Sequence, residues 1–147
     1  MLKGKQLYAY VAGIIDGEGS IDLYKTSAAK EKPRYALRVA VGITNEWMPQ
    51  FLKFNFGGSI HCIVHSTPKH KNCWLWVIQA RQAGKFLSLI IPYLQLKRPH
   101  AELAISYQSR KHRCNYLSNE ERVLDQADRI LMKSYNKRGK KEVSQNG

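Results

Sequence analysis

Hydrophobic side chains alternate with polar ones in four short stretches of the chain, and elsewhere they recur every three or four residues. A period of two predicts a half-buried β-strand, and a period near 3.6 predicts an amphipathic helix. The alternation is most regular at 34–43, where one set of positions is large and apolar and the other is small or arginine. The predicted strands cover Ser20–Thr26, Arg34–Ile43, Ser59–Ser66 and Cys73–Gln79.

Helices are predicted before, between and after the two strand pairs. This order predicts an α+β fold with an αββαββα core, in which helices back a four-stranded antiparallel sheet. We expect residues 1–135 to form a single domain and residues 136–147 to form a basic, flexible tail. The predicted helices are one that contains Leu7 to Ile15, one that Thr44 caps and Gly57 stops, one over Arg81–Ile91, one within Pro99–Arg113, and one from a capping box of Ser118 and Glu121 towards Tyr135.

One face of the first predicted helix carries almost no side-chain bulk. Its small or short residues lie beside the apolar face, and they are Ala9, Ala12, Gly13, Asp16 and Gly17. Two such helices could approach each other until their backbones touch. The pattern predicts a homodimer whose interface includes Ala9, Ala12, Gly13 and Asp16.

Two acids close this helix, with one glycine between them. In the run Asp16-Gly17-Glu18-Gly19 the glycines free the backbone and let the Glu18 carboxylate project. In a dimer two such carboxylates would converge and repel each other, and an oxygen-ligated divalent cation such as Mg²⁺ would remove that repulsion. Asp16 lies inside the last helical turn, so we expect it mainly to pack or to form hydrogen bonds.

The chain is strongly basic, with 24 Lys and Arg against 11 Asp and Glu and a formal net charge of +13. This charge predicts a polyanionic partner, although ribosomal and RNA-binding proteins share it, so charge alone does not select DNA. An odd number of cysteines without a Cys-x-x-Cys pair favours reduced thiols. Because the sequence has neither a long apolar run nor a signal-peptide pattern, we expect a soluble intracellular protein with no membrane partner.

The stretch Val11–Gly19 resembles the LAGLIDADG signature of homing endonucleases and of the related intron maturases. The direct matches to the signature are Ala12, Gly13, Ile15, Asp16 and Gly19. The resemblance implies that the sheet is saddle-shaped and straddles DNA, that signature helices form the dimer seam, and that Glu18 is the metal-binding catalytic acid, where aspartate is more familiar. A single signature implies a homodimer that recognises a palindromic or near-palindromic site in double-stranded DNA.

The activity implied by the resemblance is Mg²⁺-dependent hydrolysis of phosphodiester bonds, giving a double-strand break in DNA at an intron insertion site. Mn²⁺ is expected to substitute for Mg²⁺, and Ca²⁺ is expected to bind without supporting cleavage. Two alternatives keep the fold: an intron maturase, which binds intron RNA as a splicing cofactor, and a DNA-binding relative without catalysis. The host compartment, prokaryotic cytoplasm or organelle, stays open.

Three further positions are carried over from the resemblance. The carbonyl of Gly17 would be a second metal ligand. Asn45 stands where the family places a polar residue that positions water, although a helix-capping role is an alternative. Lys97, in Leu94-Gln95-Leu96-Lys97, corresponds to a lysine beside the scissile phosphate, although a simply solvated lysine is an alternative.

DNA contacts are predicted on the outward faces of the strands and on basic loops and helix ends. The side chains expected to read the sequence are Tyr24, Thr26, Arg34, Arg38, His61, His65, Trp74 and Trp76. Those expected to contact phosphates are Lys25, Lys30, Lys32, Lys69, Lys71, Arg110 and Lys111. A zinc site of Cys62-x-x-His65 and His70-x-x-Cys73 is a rival interpretation, disfavoured because residues three apart on a strand point to opposite faces.

Overall fold

The computed structural model describes residues 1–26, 33–63, 72–111 and 117–137. Within them the chain forms five α-helices and four strands in the order αββαββα, followed by two more helices. The elements are α1 (Gly4–Glu18), β1 (Gly19–Lys25), β2 (Tyr35–Ile43), α2 (Trp47–Phe56), β3 (Ser59–Ile63), β4 (Cys73–Gln79), α3 (Ala80–Ile90), a 3₁₀ turn (Ile91–Tyr93), α4 (Arg98–Ser109) and α5 (Asn119–Asn136). This is the predicted α+β architecture.

The four strands form one antiparallel sheet in the order β1-β2-β4-β3. One face of the sheet, here called the inner face, packs against the helices and carries the fully buried Ile21, Leu37, Val39 and Val41. The predicted alternation of β2 is therefore confirmed. The opposite, outer face holds the alternate positions of each strand, and none of the helices in the described parts of the chain packs over it as the helices pack over the inner face.

The start of α2 differs from the prediction. Thr44 does not cap this helix: its N-cap residue is Glu46, which forms no side-chain cap, and the Oδ1 atom of Asn45 accepts the backbone N–H of Trp47 at 2.8 Å. The helix ends at Phe56 as expected, and Gly57 and Gly58 follow with φ of 80° and 88°. A Cβ atom on Gly58 would lie 2.5 Å from the carbonyl oxygen of Val77, so this tight turn requires glycine.

The last helix, α5, lies along the free edge of β1. Ser118 caps its start by accepting the N–H of Glu121 at 3.2 Å, as the capping box predicted. Arg129 donates to the carbonyl of Leu23, and Asn136 donates to the carbonyl of Ile21 at 2.8 Å. These bonds satisfy acceptors that an edge strand otherwise leaves open to a second chain.

The predicted tail falls, from residue 138 onwards, outside the described residues. No helix in the described part of the chain is long and apolar enough to cross a lipid bilayer.

Candidate active site and nucleic-acid interface

The junction of α1 and β1 places Glu18 at the surface. Glu18 is the last residue of the helix and is exposed, and Gly19 is the buried first residue of the strand. A Cβ atom on Gly19 would lie 2.8 Å from the Cα atom of Ile15, so only glycine fits this abrupt change from helix to strand. The helix therefore ends with its carboxylate projecting from the negative end of the helix dipole.

Asp16 connects this junction to the turn before α4. Its Oδ2 atom accepts the backbone N–H of Gln95 at 2.8 Å, and its Oδ1 atom accepts those of Leu96 at 3.1 Å and Lys97 at 2.9 Å. A carboxylate that accepts three amide protons is held firmly and holds the turn firmly in return. The expected hydrogen-bonding role of Asp16 matches these contacts.

Lys97 is brought to the end of α1 by the same turn. Its Nζ atom donates to the carbonyl oxygen of Asp16 at 2.9 Å, two residues before Glu18 in sequence. The structure thus places the cation of Lys97 next to the helix end that carries the Glu18 carboxylate. This side chain is anchored at its base and its tip, which does not match the alternative of a freely solvated lysine.

The donors at this helix end suit a hard divalent cation. The last carbonyls of a helix have no partner within the helix, and of these Ile15 accepts the N–H of Gly19 and Asp16 accepts Lys97. Gly17 and Glu18 supply a carbonyl and a carboxylate, which are ligands that Mg²⁺ and Ca²⁺ accept. In the described residues no three His, Cys, Asp or Glu side chains converge as a metal site.

Asn45 lies at the same end of the sheet. Because Val41 pairs with Gly19, the end of β2 runs past the junction of α1 and β1, and Asn45 follows that end. Its Oδ1 atom accepts the N–H of Trp47 just before α2, whose N-cap residue is Glu46, so neither the capping role nor the water-positioning role is decided by this bond. A catalytic role for Asn45 stays a prediction.

A cavity of about 430 Å³ opens beside Lys97. Ser20 and Asp22 line it from β1, His100 from the first turn of α4, and Tyr135 from α5. Burial lowers the pKa of His100; a hydrogen bond with the backbone of Tyr135 opposes this effect, and the charge of Lys97 adds to it. The cavity therefore presents a lysine and an imidazole that resists protonation, a few residues from the end of α1.

The outer face of the sheet carries a polar row across three strands. Asp22 pairs with Arg38, and Arg38 pairs with Gln79, so their side chains lie side by side. The guanidinium of Arg38 lies 6.0 Å from the ring centroid of Tyr24 on the same face. The buried Nε atom of Arg38 has no hydrogen-bond partner among the described residues. Asp22 and Gln79 were not among the residues predicted from sequence for this face. The polar Gln79 lies on the same side of β4 as Leu75 and Val77, and this was the sequence signal that their side faces outwards.

Comparison with known proteins adds a structural likeness. No family model matches the chain, and no curated protein matches it in sequence. The homing endonuclease I-CvuI, solved in complex with its target in the presence of Ca, matches with a TM-score of 0.71 and 17% identity, over 91% of this chain and 84% of that chain. The LAGLIDADG homing endonuclease I-GzeII, solved in complex with a DNA target, matches with a TM-score of 0.60 and 20% identity, over 85% of this chain and 43% of that chain. The chain has the LAGLIDADG endonuclease fold.

A third structure with this fold is I-SmaMI, solved bound to an uncleaved DNA target in the presence of calcium ions. It matches with a TM-score of 0.63 and 19% identity, over 97% of this chain and 47% of that chain. The described chain therefore spans less than half of I-SmaMI and I-GzeII but most of I-CvuI.

On this fold the signature helix α1 keeps an exposed small-residue face, with one correction. Ala9, Gly13 and Gly17 are exposed, and a Cβ atom added to either glycine would meet nothing within 4 Å. Ala12, predicted to belong to this face, is instead completely buried in the hydrophobic core of the chain. The carboxylate of Asp16, also assigned to the dimer interface, is engaged by the turn at 95–97.

Both tryptophans predicted to face DNA belong to the other side of the LAGLIDADG sheet. Trp76 pairs with Val41 and is completely buried, and Trp74 pairs with Ile43, so both lie on the inner face. The Nε1 atom of Trp76 donates to the carbonyl of Gly57 at 2.8 Å, which fixes the indole beneath the turn after α2. The outward positions of β4 are the alternate ones, including Leu75 and Val77, because a shift of one residue moves every side chain to the opposite face.

The other predicted DNA contacts divide into three groups. Tyr24, Arg38 and His61 lie on the outer face, with Thr26 and Arg34 bonded to each other at its border and Lys25 exposed at the end of β1. Lys30, Lys32, His65, Lys69 and Lys71 lie outside the described residues, as does His70 of the rival zinc site. Arg110 and Lys111 are corrected: Arg110 pairs with Asp125 and Asp128, and Lys111 pairs with the buried Asp125, so both charges join α4 to α5.

Proposed function

We propose that the chain is one subunit of a homodimeric, sequence-specific homing endonuclease that makes a metal-dependent double-strand break in DNA at an intron insertion site. The observation that carries this proposal is the exposed carboxylate of Glu18 at the end of α1, with Lys97 anchored beside it by Asp16. This arrangement lies on a fold shared with homing endonucleases that were solved on DNA.

Glu18 and the carbonyl of Gly17 would hold the metal. Mg²⁺ fits these oxygen donors, and when bound it supplies a polarised water and neutralises charge at the phosphorus centre. The remaining ligands would come from DNA phosphates and from a second copy of the chain, which agrees with the incomplete donor set among the described residues. Mn²⁺ is expected to replace Mg²⁺, and Ca²⁺ is expected to occupy the site without supporting the reaction.

Three side chains of the protein would then have separate roles in the reaction. The ammonium of Lys97, held in place at the end of α1, would stabilise charge that develops on the scissile phosphate. The amide of Asn45, at the same end of the sheet, would orient water towards that phosphate. Asp16 would act as a positioning residue, because its three hydrogen bonds fix the turn that carries Lys97.

DNA would lie against the outer face of the sheet. Arg38, backed by the ring of Tyr24, offers a guanidinium that suits a guanine edge, and His61 lies on the same face. The formal charge of +13 on each subunit would attract the phosphate backbone. A two-fold dimer would present two such sheets, so the target would be palindromic or nearly so.

Dimer formation is supported by the signature helix. Gly13 and Gly17 face open space in the subunit, so their lack of a side chain serves no packing need within the described chain. A second α1 helix could approach this face closely and bring two Glu18 carboxylates together. The larger chains of I-GzeII and I-SmaMI, which this chain matches over less than half their length, have room for two such units.

The test is cleavage of the intron-less allele of the locus in which the coding element is inserted, with Mg²⁺ and separately with Ca²⁺. We expect Glu18→Gln to lower the cleavage rate by at least about 100-fold while DNA binding in Ca²⁺ persists, since one oxygen donor is lost from the metal. The matched control is Glu102→Gln, the same change at an exposed position on α4, which should cleave like the parent.

Cleavage by Glu18→Gln at the parental rate would contradict the catalytic centre. If the parent does not cut but binds intron RNA, the maturase interpretation replaces the endonuclease. If it binds DNA without cutting in any metal, the chain is a DNA-binding relative without catalysis.

A further inference from the structure

An aromatic patch lies between the start of α1 and the outer side of α2. The patch consists of Tyr10, Trp47, Phe51 and Phe54 and borders a groove of about 720 Å³ that Met1 and Leu2 also line. Trp47 stacks on Phe51 with ring centroids 4.9 Å apart, and Tyr10 meets Phe51 edge-on at 5.7 Å. The rings are therefore ordered against each other.

The two most exposed side chains of this patch are left largely open by their own subunit. Trp47 is 58% exposed and Phe54 is 79% exposed, and Tyr10 is 41% exposed beside them. Contiguous exposed apolar surface of this kind is uncommon on a soluble monomer and marks an interaction site. Tryptophan and its aromatic neighbours are also the side chains that contribute most to binding between proteins.

The patch continues the exposed face of α1. Tyr10 belongs to the patch, and it precedes Gly13 by one helical turn on the same helix, next to Ala9. Small residues permit close approach of two helices but bury little apolar area themselves. A stable interface needs about 800 Å² from each partner, which a stripe of alanine and glycine on one helix cannot supply.

We propose that the aromatic patch is the second half of the homodimer interface, where Trp47 and Phe54 of each subunit pack against the partner subunit. The inference rests on the proposed homodimer and adds the surface that supplies its binding energy. In this arrangement the small-residue face of α1 sets how closely the subunits approach, and the aromatic patch holds them together.

A second stripe of exposed apolar side chains allows dimerisation through the aromatic patch to be distinguished from nonspecific hydrophobic association. Val123, Leu124, Ile130 and Leu131 are all at least 40% exposed on α5. This helix lies against β1 and α4, at the free edge of the sheet, and none of its residues borders the groove beside α1. A second copy that docks through α1 reaches the aromatic patch first, so the α5 stripe provides a matched control.

The experiment is sedimentation equilibrium of the full chain over a range of concentrations, without DNA or metal. The double variant Trp47→Ser/Phe54→Ser should raise the dissociation constant of the dimer by at least about 100-fold. The control Val123→Ser/Ile130→Ser, with similarly exposed side chains, should keep the parental dissociation constant. Circular dichroism melting should show both double variants folded, and Trp47→Phe should retain most of the dimer.

Three results would overturn the proposal: a parent that stays monomeric at 100 µM, a Trp47→Ser/Phe54→Ser variant that dimerises like the parent, or dissociation by the α5 control alone. Because no DNA or metal is present, the measurement does not depend on nuclease activity. If the variant without the patch still dimerises, the patch proposal is wrong but the endonuclease proposal is unaffected. If the dimer depends on the patch but never cleaves DNA, the endonuclease proposal is wrong but the patch proposal is unaffected.

Discussion

Asp16 carries more of the site's geometry than its moderate exposure suggests. Two side-chain oxygens accept three backbone N–H groups from a segment about eighty residues later in the chain, and the backbone carbonyl accepts Lys97. A carboxylate suits this cluster because it only accepts hydrogen bonds, whereas an amide offers one acceptor and one donor group. The residue that positions the lysine is thus different from Glu18, the residue proposed to bind the metal.

Replacing Asp16 with asparagine should therefore affect stability and catalysis together. The Nδ2 group would face an amide N–H, so at least one bond is lost, and we expect a loss of about 1–3 kcal/mol in the free energy of unfolding. Urea unfolding measures this value, and cleavage kinetics should show a lower kcat. The control is Asp22→Asn, because the carboxylate of Asp22 accepts only the N–H of the adjacent Leu23 among its described bonds. Equal stability of the two variants would contradict the positioning role.

At the level of elements, both β2 and β4 were predicted as strands, but only for β2 could the face that packs against the helices be predicted from sequence. In β2 one set of positions is large and apolar and the other is small or arginine, so only one face can pack against helices. In β4 both sets are apolar, with tryptophan and isoleucine on one side and leucine and valine on the other. The tryptophan side packs inwards, where Trp76 donates to the carbonyl of Gly57, and periodicity carries no information about such a contact between elements.

The candidate site divides in the same way. The signature residues, the capping box and the lysine before α4 occupy local patterns, so their positions could be predicted from sequence. The ion pairs of Arg110 and Lys111 with Asp125 on α5 could not be predicted, because a solvated lysine and a lysine paired to a buried aspartate look alike in sequence. Burial of Ala12 was missed for a similar reason: alanine fits both a helix seam and a tightly packed core.

The glycines of α1 allow a test of the element as a whole. Gly13→Ala should raise the stability of the isolated subunit by about 0.5–1 kcal/mol, because alanine favours the helix and the added methyl meets open space. The same change should weaken the dimer by at least about 10-fold, since the methyl would separate the two helices. Unfolding measured at low concentration and sedimentation at high concentration separate the two effects.

Gly19→Ala, directly after the last residue of α1, provides the comparison with Gly13→Ala. Its Cβ atom would lie 2.8 Å from backbone of Ile15, so we expect a loss of about 1–3 kcal/mol within the subunit itself. If Gly13→Ala instead destabilised the subunit and left the dimer unchanged, the exposed face of α1 would have no role between subunits.

At the level of the whole molecule, the formal charge of +13 doubles in a dimer, and DNA affinity should fall steeply as salt rises. Each phosphate contact contributes about 0.9 to the slope of log affinity against log salt. Lys25→Ala, at the exposed end of β1, should therefore reduce the slope by about 2 per dimer and weaken all duplexes alike. Arg38→Ala should instead relax preference at one base pair of each half-site, because its guanidinium lies on the outer face of the sheet.

Fluorescence anisotropy of a labelled target in Ca²⁺, from 50 to 300 mM salt, measures both effects when a panel of single-base-pair variants of the target is included. Lys85→Ala, an exposed lysine on α3 in the layer of helices behind the sheet, is the control for loss of a positive charge and should leave the slope unchanged. If attraction depended on net charge alone, Lys25→Ala and Lys85→Ala would change the slope equally. If DNA contacts the exposed end of β1, only Lys25→Ala should reduce the slope, because only a charge that touches phosphate releases a counterion.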